Sequence, residues 1–291
     1  MYHAKQSGKN RFHFFDTEYD KALRSRHESI ENIKQALAQD QFVLYYQPKV
    51  NMLTGRVIGV EALIRWDHPK KGILPPGDFL PVIDNHILIV ELGNWVIKNG
   101  IEQIQVCQEM GEDITISVNV HALQLHQHNF LNTLTELLEQ YPEAKNGSLE
   151  FEILETSALE NIGYIADIIQ ICKALGINFS LDDFKTSYSS LTYLKQLPIN
   201  TMKIDSSFVI DMLHDPDDLA IVKGIIDLSK TFNKSVIAEG VETIEHGQRL
   251  VSLGCELAQG HAIAKPMPAE ELKKWMKDWQ APESWTRYNN N

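Results

Sequence analysis

A chain of 291 residues, 43% hydrophobic and 23% charged, has the composition of an ordinary globular protein and suits one large barrel or two small domains. Its formal net charge of −12 argues against nonspecific binding to duplex nucleic acid, which rests on cationic surface; a phosphate-bearing ligand stays open, since bound divalent cations reverse the local sign. Cys107, Cys172 and Cys255 form neither a pairable set nor a metal-spaced cluster, and read as reduced thiols in a cytoplasmic core.

No basic, apolar and small-residue signal segment opens the chain. The most apolar stretch, Ile87 to Ile97, is interrupted by Glu91 and is too short to cross a bilayer. The expectation is a soluble, cytoplasmic segment with no membrane contact of its own, whether or not the full-length protein is membrane-attached.

Met1 to Gly8 reads as the last turns of a helix closed by glycine, and Phe12-His13-Phe14-Phe15 as a short strand. Such a pair cannot bury its own apolar face, so residues 1–15 are expected to end an upstream domain. Residues 16–40 form a charged connecting helix with Ile30, Ile33 and Leu37 on one stripe, bare enough to pack on a neighbour or on a second copy. Apolar runs then follow at Phe42–Gln47, Ile58–Trp66, Ile114–Val120, Leu149–Leu154, Asn178–Phe184, Met202–Asp205, Ser235–Val241 and Leu257–Ile263. Helical periodicity fills most gaps, as at Leu131–Leu138, Ile162–Leu175, Ile221–Phe232 and Glu271–Trp279. Eight strands mostly alternating with helices over about 230 residues is the arithmetic of an α/β fold, a TIM-like (β/α)8 barrel. The first gap is too short for a helix, and Thr54-Gly55 marks a turn there, which makes the first strand antiparallel to the second. The barrel is expected over 41–282, with a tail over 283–291.

Polar residues recur at the C-terminal ends of these strands, where barrel enzymes build their sites. Glu61 and Arg65 lie an even number of residues apart and project to one face. Asn119, Glu152, the pair Asp182-Asp183, Lys203, Glu239 and Gln259 belong to the later strands. Singly, each has a plainer explanation: Asp183 as a helix N-cap, Lys203 as a partner of Asp205, Asn119 as a cap for the helix beginning near His121. Together they do not, because five carboxylates on one rim repel and raise each other's pKa unless cations neutralise them. Oxygen ligands of this kind select Mg2+, Mn2+ or Ca2+ rather than zinc or copper. Two cations about 3.5–4 Å apart suit hydrolysis of a phosphodiester. Lys203 would orient the water or neutralise developing charge, and the planar fork of Arg65 suits a phosphate oxygen. His121, His126 and His128 lack flanking acids that complete a zinc set and read as surface residues. His261 reads equally as a rim or a packing residue. Another Mg2+-dependent barrel reaction, such as enolate stabilisation, needs a base opposite Lys203, and no clear candidate stands there.

These residues sit within longer matches: Tyr46-Gln47-Pro48, Glu61-Ala62-Leu63-Ile64-Arg65-Trp66, Val118-Asn119, Glu152-Ile153-Leu154-Glu155, Asp182-Asp183-Phe184, Lys203-Ile204-Asp205, Ala238-Glu239-Gly240-Val241-Glu242 and Gln259-Gly260. In that order and at those separations the chain resembles the EAL family of cyclic di-GMP phosphodiesterases. The resemblance implies metal ligands at Glu61, Asn119, Glu152 and Asp182, with Asp183 and Glu239 completing a second ion or its water. It implies catalytic roles for Lys203, Glu61 and Glu239, substrate contacts from Gln47, Arg65 and Gln259, and a loop-steadying role for Glu155. It further implies cyclic di-GMP as the partner, opened to linear pGpG with two Mg2+ or Mn2+ ions, and a homodimer. Ca2+ is expected to inhibit, because its loose coordination positions water less strictly. Residues 1–15 similarly resemble the last helix and strand of a GGDEF domain, which implies upstream GGDEF and sensory domains.

Two departures stand out. Where the family carries Gly-Thr-Gly, this chain has Lys185-Thr186-Ser187, and glycine permits backbone conformations that Lys and Ser adopt only at a cost. The resemblance ties this loop to the coupling of dimerisation and metal binding, so lower or more activation-dependent turnover is expected. Asp84-Asn85-His86 replaces the usual Glu and Gly. The competing reading is a receptor that binds cyclic di-GMP without cleaving it; retention of Glu61 and Lys203 favours the enzyme.

Overall fold

In a strand every second side chain faces the same way, and this chain uses that period to separate an apolar shell from a polar interior. The structure, a computed structural model, describes residues 17–144, 147–184 and 191–287, without the side chains of 17–23, 143, 160 and 191–193. The expected helix–strand remnant at 1–15, the loop Lys185-Thr186-Ser187 and the last residues of the tail lie outside the described residues.

The strands are β1 (Phe42–Asn51), β2 (Val57–His68), β3 (Gly72–Leu74), β4 (Thr115–Asn119), β5 (Leu149–Leu154), β6 (Asn178–Phe184), β7 (Thr201–Ile204), β8 (Ser235–Ala238) and β9 (Leu257–Ala258). Eight of them close a ring in the order β1-β2-β4-β5-β6-β7-β8-β9, while β3 extends the end of β2 outside it. As expected, the fold is a TIM-like barrel with its first strand reversed: β1 is antiparallel to both neighbours, and the other seven strands run parallel. The turn between β1 and β2 closes on Asn51, whose carbonyl accepts from the Gly55 amide at 2.9 Å; Gly55 takes a φ of 72° there.

The outward set of the parallel strands is apolar, and Ile116, Phe151, Phe179, Leu181 and Met202 are sealed beneath the helices. Facing inward on β4 to β7 are polar residues that are equally buried: Ser117, Glu150, Glu152, Ser180 and Lys203. The apolar stretch from Ile87 belongs to the helix Leu88–Glu109, which buries one face against β4. No helix among the described residues is long and apolar enough to cross a membrane.

Both ends of the described residues fold back on the barrel. The stripe on the helix Thr17–Ala38, expected to pack on a neighbour or on a second copy, packs on the barrel: Ile33 is 1% exposed, and Ile30 and Leu37 pack against the core. The cause is the tight link to β1, where the Gln41 amide donates to the Ala36 carbonyl at 3.0 Å and turns the helix onto the barrel wall. At the other end, the turn Glu283–Thr286 in the expected tail buries Trp285 completely, its indole donating to the Ile244 carbonyl at 2.9 Å. Gly247 makes this possible, since a Cβ there would lie 2.3 Å from the indole ring. Burial of a tryptophan on this scale is worth about 3–5 kcal/mol against alanine.

Candidate active site

Lys203 enters the barrel from β7 with no exposed surface. Its ammonium is the hub of the site. Glu239 lies 2.7 Å away, Asp182 3.1 Å and Glu61 3.5 Å, and Glu152 makes a still shorter contact. Burial alone would lower the pKa of this lysine; the carboxylates outweigh it and raise it well above the ordinary value. The proposed pairing with Asp205 is not its main role, because Asp205 caps the helix Ser206–Asp211 by accepting from the Ser207 amide at 2.8 Å.

Around this hub the neutral residues orient the acids. Asn119 donates to Glu61 Oε1 at 2.8 Å, and the cap of the helix Ala122–Leu125 is His121 instead. Gln259 donates from one nitrogen to Glu61 Oε2 at 2.8 Å and to Gln47 Oε1 at 2.9 Å, and Gln47 donates onward to the Ala264 carbonyl at 3.0 Å. The closeness of β9 to the loop after Glu239 requires Gly260, where a Cβ would fall 2.3 Å from the Val241 nitrogen.

Asp182 and Asp183 are consecutive, and consecutive strand residues face opposite ways. The register of β6 against β7 shifts between Leu181 and Phe184, and Asp183 takes a φ of 52°. This bulge turns the second aspartate back, so that oxygens of Asp182, Asp183 and Glu239 all lie within 4.8 Å of one another. One Asp182 oxygen is buried without a hydrogen-bond partner, within ion-pair range of Lys203. An all-oxygen group with a buried acceptor that no hydrogen bond fills fits a hard divalent cation.

The acids differ in charge state. Burial pushes Glu61 and Asp182 up, and it takes Glu239 to about 8 despite the pull of Lys203. Burial acts on Glu152 too, but Lys203 and Lys49 together overcome it and hold this carboxyl down at about 2. Lys49 was not anticipated from the sequence. It reaches in from β1 to the free oxygen of Glu152, to Ser117 Oγ at 2.6 Å and to Glu150 Oε1 at 3.4 Å.

Two clefts flank the acids. One, about 300 Å³, is lined by Gln47, Glu61, Glu239, Glu242, Gln259 and His261. The other, about 310 Å³, is more apolar and includes Ile64, Leu80, Ile89, Asn119, Glu152 and Leu154. Arg65 is not drawn into the acid cluster; its guanidinium donates to the Ile64 carbonyl at 2.9 Å and lies 5.7 Å from the Tyr45 ring centroid. Glu155 is buried in the first turn of the helix Glu155–Glu160, and the loop it was expected to steady lies outside the described residues. His261 lines the first cleft and pairs with Glu242 at 3.1 Å. His121 meets Asp84 at 3.3 Å, and His126 stacks on Tyr164 at 4.9 Å.

Comparison with known proteins places this geometry. The EAL domain family matches residues 30–266. The bifunctional diguanylate cyclase/cyclic di-GMP phosphodiesterase MucR of Pseudomonas aeruginosa is 39% identical over 273 residues, 94% of this chain and 40% of MucR. The cyclic di-GMP phosphodiesterase PdeR of Escherichia coli is 35% identical, over 95% of this chain and 42% of PdeR. The chain thus spans about two fifths of the length of these relatives. A solved structure of the PaMucR phosphodiesterase in complex with c-di-GMP superposes with a TM-score of 0.81 at 40% identity, covering 84% of this chain and 99% of that one.

Proposed function

The chain belongs to the EAL domain family, and from that premise we propose that it is a metal-dependent phosphodiesterase that hydrolyses cyclic di-GMP to linear pGpG. The observation that carries the reading is the Lys203 ammonium held among Glu61, Glu152, Asp182 and Glu239 between two clefts. A ligand with two lobes joined through phosphates suits such a floor, with one lobe in each cleft. Two relatives named for cyclic di-GMP phosphodiesterase activity and the PaMucR complex support the choice of nucleotide.

Asp182, Asp183 and Glu239, with Glu61, Asn119 and Glu152 beside them, would hold Mg2+ or Mn2+. Bound ions of this kind supply Lewis acidity and a more acidic water. The chain's own residues do the rest. Lys203 presents its ammonium where negative charge gathers on the phosphoryl oxygens, and burial makes that charge count. Gln259 and Asn119 fix both oxygens of Glu61. In the reaction a water oxygen bonds to phosphorus, the bond from phosphorus to the 3′-oxygen breaks, and that oxygen takes up the proton the water gives up.

Incubation with cyclic di-GMP and Mg2+ or Mn2+, followed by chromatography, is expected to show pGpG. Binding without product under both metals would make the chain a receptor instead. Ca2+ is expected to compete with Mn2+ and to support little turnover.

A further inference from the structure

Lys49 lies below the site, on the one reversed strand of the barrel. Gln47 sits opposite Glu61 in the β1–β2 ladder, and Lys49 sits one step deeper, opposite Gly59. Its side chain is 3% exposed, and its ammonium donates to Ser117 Oγ, Glu150 Oε1 and Glu152 Oε1. Ser117 in turn donates to Glu150 at 2.7 Å. The two oxygens of Glu152 are therefore divided between two lysines, Oε1 with Lys49 below and Oε2 with Lys203 above.

This division constrains Glu152. A carboxylate on Lys203 alone can rotate about its last bond and turn either oxygen to the mouth. Anchored through Oε1 from beneath, it presents Oε2 in one orientation. Packing alone does not account for Lys49, since an ammonium buried without need costs several kcal/mol and methionine fills the same space.

Resting on the metal-dependent reading above, we propose that Lys49 is a positioning residue of the reaction, which anchors Glu152 from below and so fixes the oxygen it offers to the metal and to Lys203. Partners that orient a metal ligand typically contribute 10–100-fold to metal affinity or activity. The test is Lys49→Met, which keeps the bulk and removes the anchor. Binding of Mn2+ alone is followed by titration calorimetry, and kcat and KM are measured with cyclic di-GMP; a thermal melt verifies folding.

The expected result is Mn2+ affinity and kcat each lowered about 10–100-fold, with KM within about twofold of wild type. Should Lys49→Met fail to fold, with Glu150 and Glu152 left facing one another, the double variant Lys49→Met, Glu150→Gln removes that repulsion and carries the same expectation. A folded variant of either kind with wild-type Mn2+ affinity and kcat would overturn the proposal. Wild-type protein that takes up no Mn2+ and releases no pGpG would instead remove the phosphodiesterase reading, and the role of Lys49 with it.

Discussion

Glu152 and Glu239 sit on opposite sides of one ammonium and have opposite electrostatic fates. Glu152 is sealed and Glu239 is 18% exposed, and both pair with Lys203. Glu152 has a second lysine, which holds it at about 2, fully ionised at any working pH. Glu239 must share Lys203 with Asp182 and Glu61, and burial takes it to about 8. One side of the site is charged in advance, and the other holds a proton until a cation displaces it. Five carboxylates, Glu61, Glu150, Glu152, Asp182 and Glu239, pair with two buried lysines, and the exposed Asp183 adjoins two of them, so these two cations leave a deficit. That deficit lies on the Glu239 side, together with the oxygens of Asp182 and Asp183.

The hardest way to break this contrast is to remove the hub. Lys203→Ala leaves four carboxylates without their shared counter-charge, and loss of one partner of a buried pair costs about 3–5 kcal/mol. Turnover measured as pGpG release should fall on the order of 10²–10³-fold, the range for a preorganised electrostatic group. Glu61→Ala should bring a comparable loss of activity at a smaller cost in stability, because Lys203 keeps three acids. Retained turnover in either variant would refute the site.

A gentler probe is pH. Glu239 is raised in the folded protein, so the stability it contributes is complete below its unfolded value of 4.5 and is lost as pH climbs to about 8. Glu152 is depressed, so its contribution is present above the unfolded value and is lost only as pH falls towards about 2; it is flat across the same window. Melting of the metal-free protein should therefore fall from pH 5 to pH 8, and Mn2+ should restore it. Mn2+ affinity should rise about tenfold per pH unit below 8 for one proton released on binding. An affinity independent of pH would mean that Glu239 is already ionised.

The contrast also explains what the sequence disclosed. The barrel was legible because strands and helices alternate in the right number, and the upper polar layer because strand ends carry acids. Ser117 and Glu150 were within reach of the same logic, each two residues before a named site residue and so on its face. Lys49 was hidden by Pro48. Proline lacks the N–H a strand interior needs, so the first strand reads as ending at Gln47. In the fold β1 runs on to Asn51, because Pro48 falls between the bridge of Tyr46 to Met267 and the pairing of Val50 with Ala258, where no ladder bond is demanded of it. The stripe on the first helix was left open between a neighbour and a second copy, because a helix pattern shows which face is apolar, not what covers it.

The bulge at Asp183 separates function from stability most finely. A non-glycine residue at a φ of 52° carries local strain of about 1–2 kcal/mol, while glycine there adds back roughly 0.5–1 kcal/mol of chain entropy. Asp183→Gly should leave the melt unchanged or raise stability by up to about 1 kcal/mol, and at the same time weaken Mn2+ binding by removing a cluster oxygen. The anchored side of the site offers no such trade, since truncating Glu152 takes the shortest ion-pair partner from both Lys49 and Lys203. Glu152→Ala should lose stability and metal together, and an equal melting loss in Asp183→Gly would show that the bulge is held by packing and not for the sake of the oxygen it delivers.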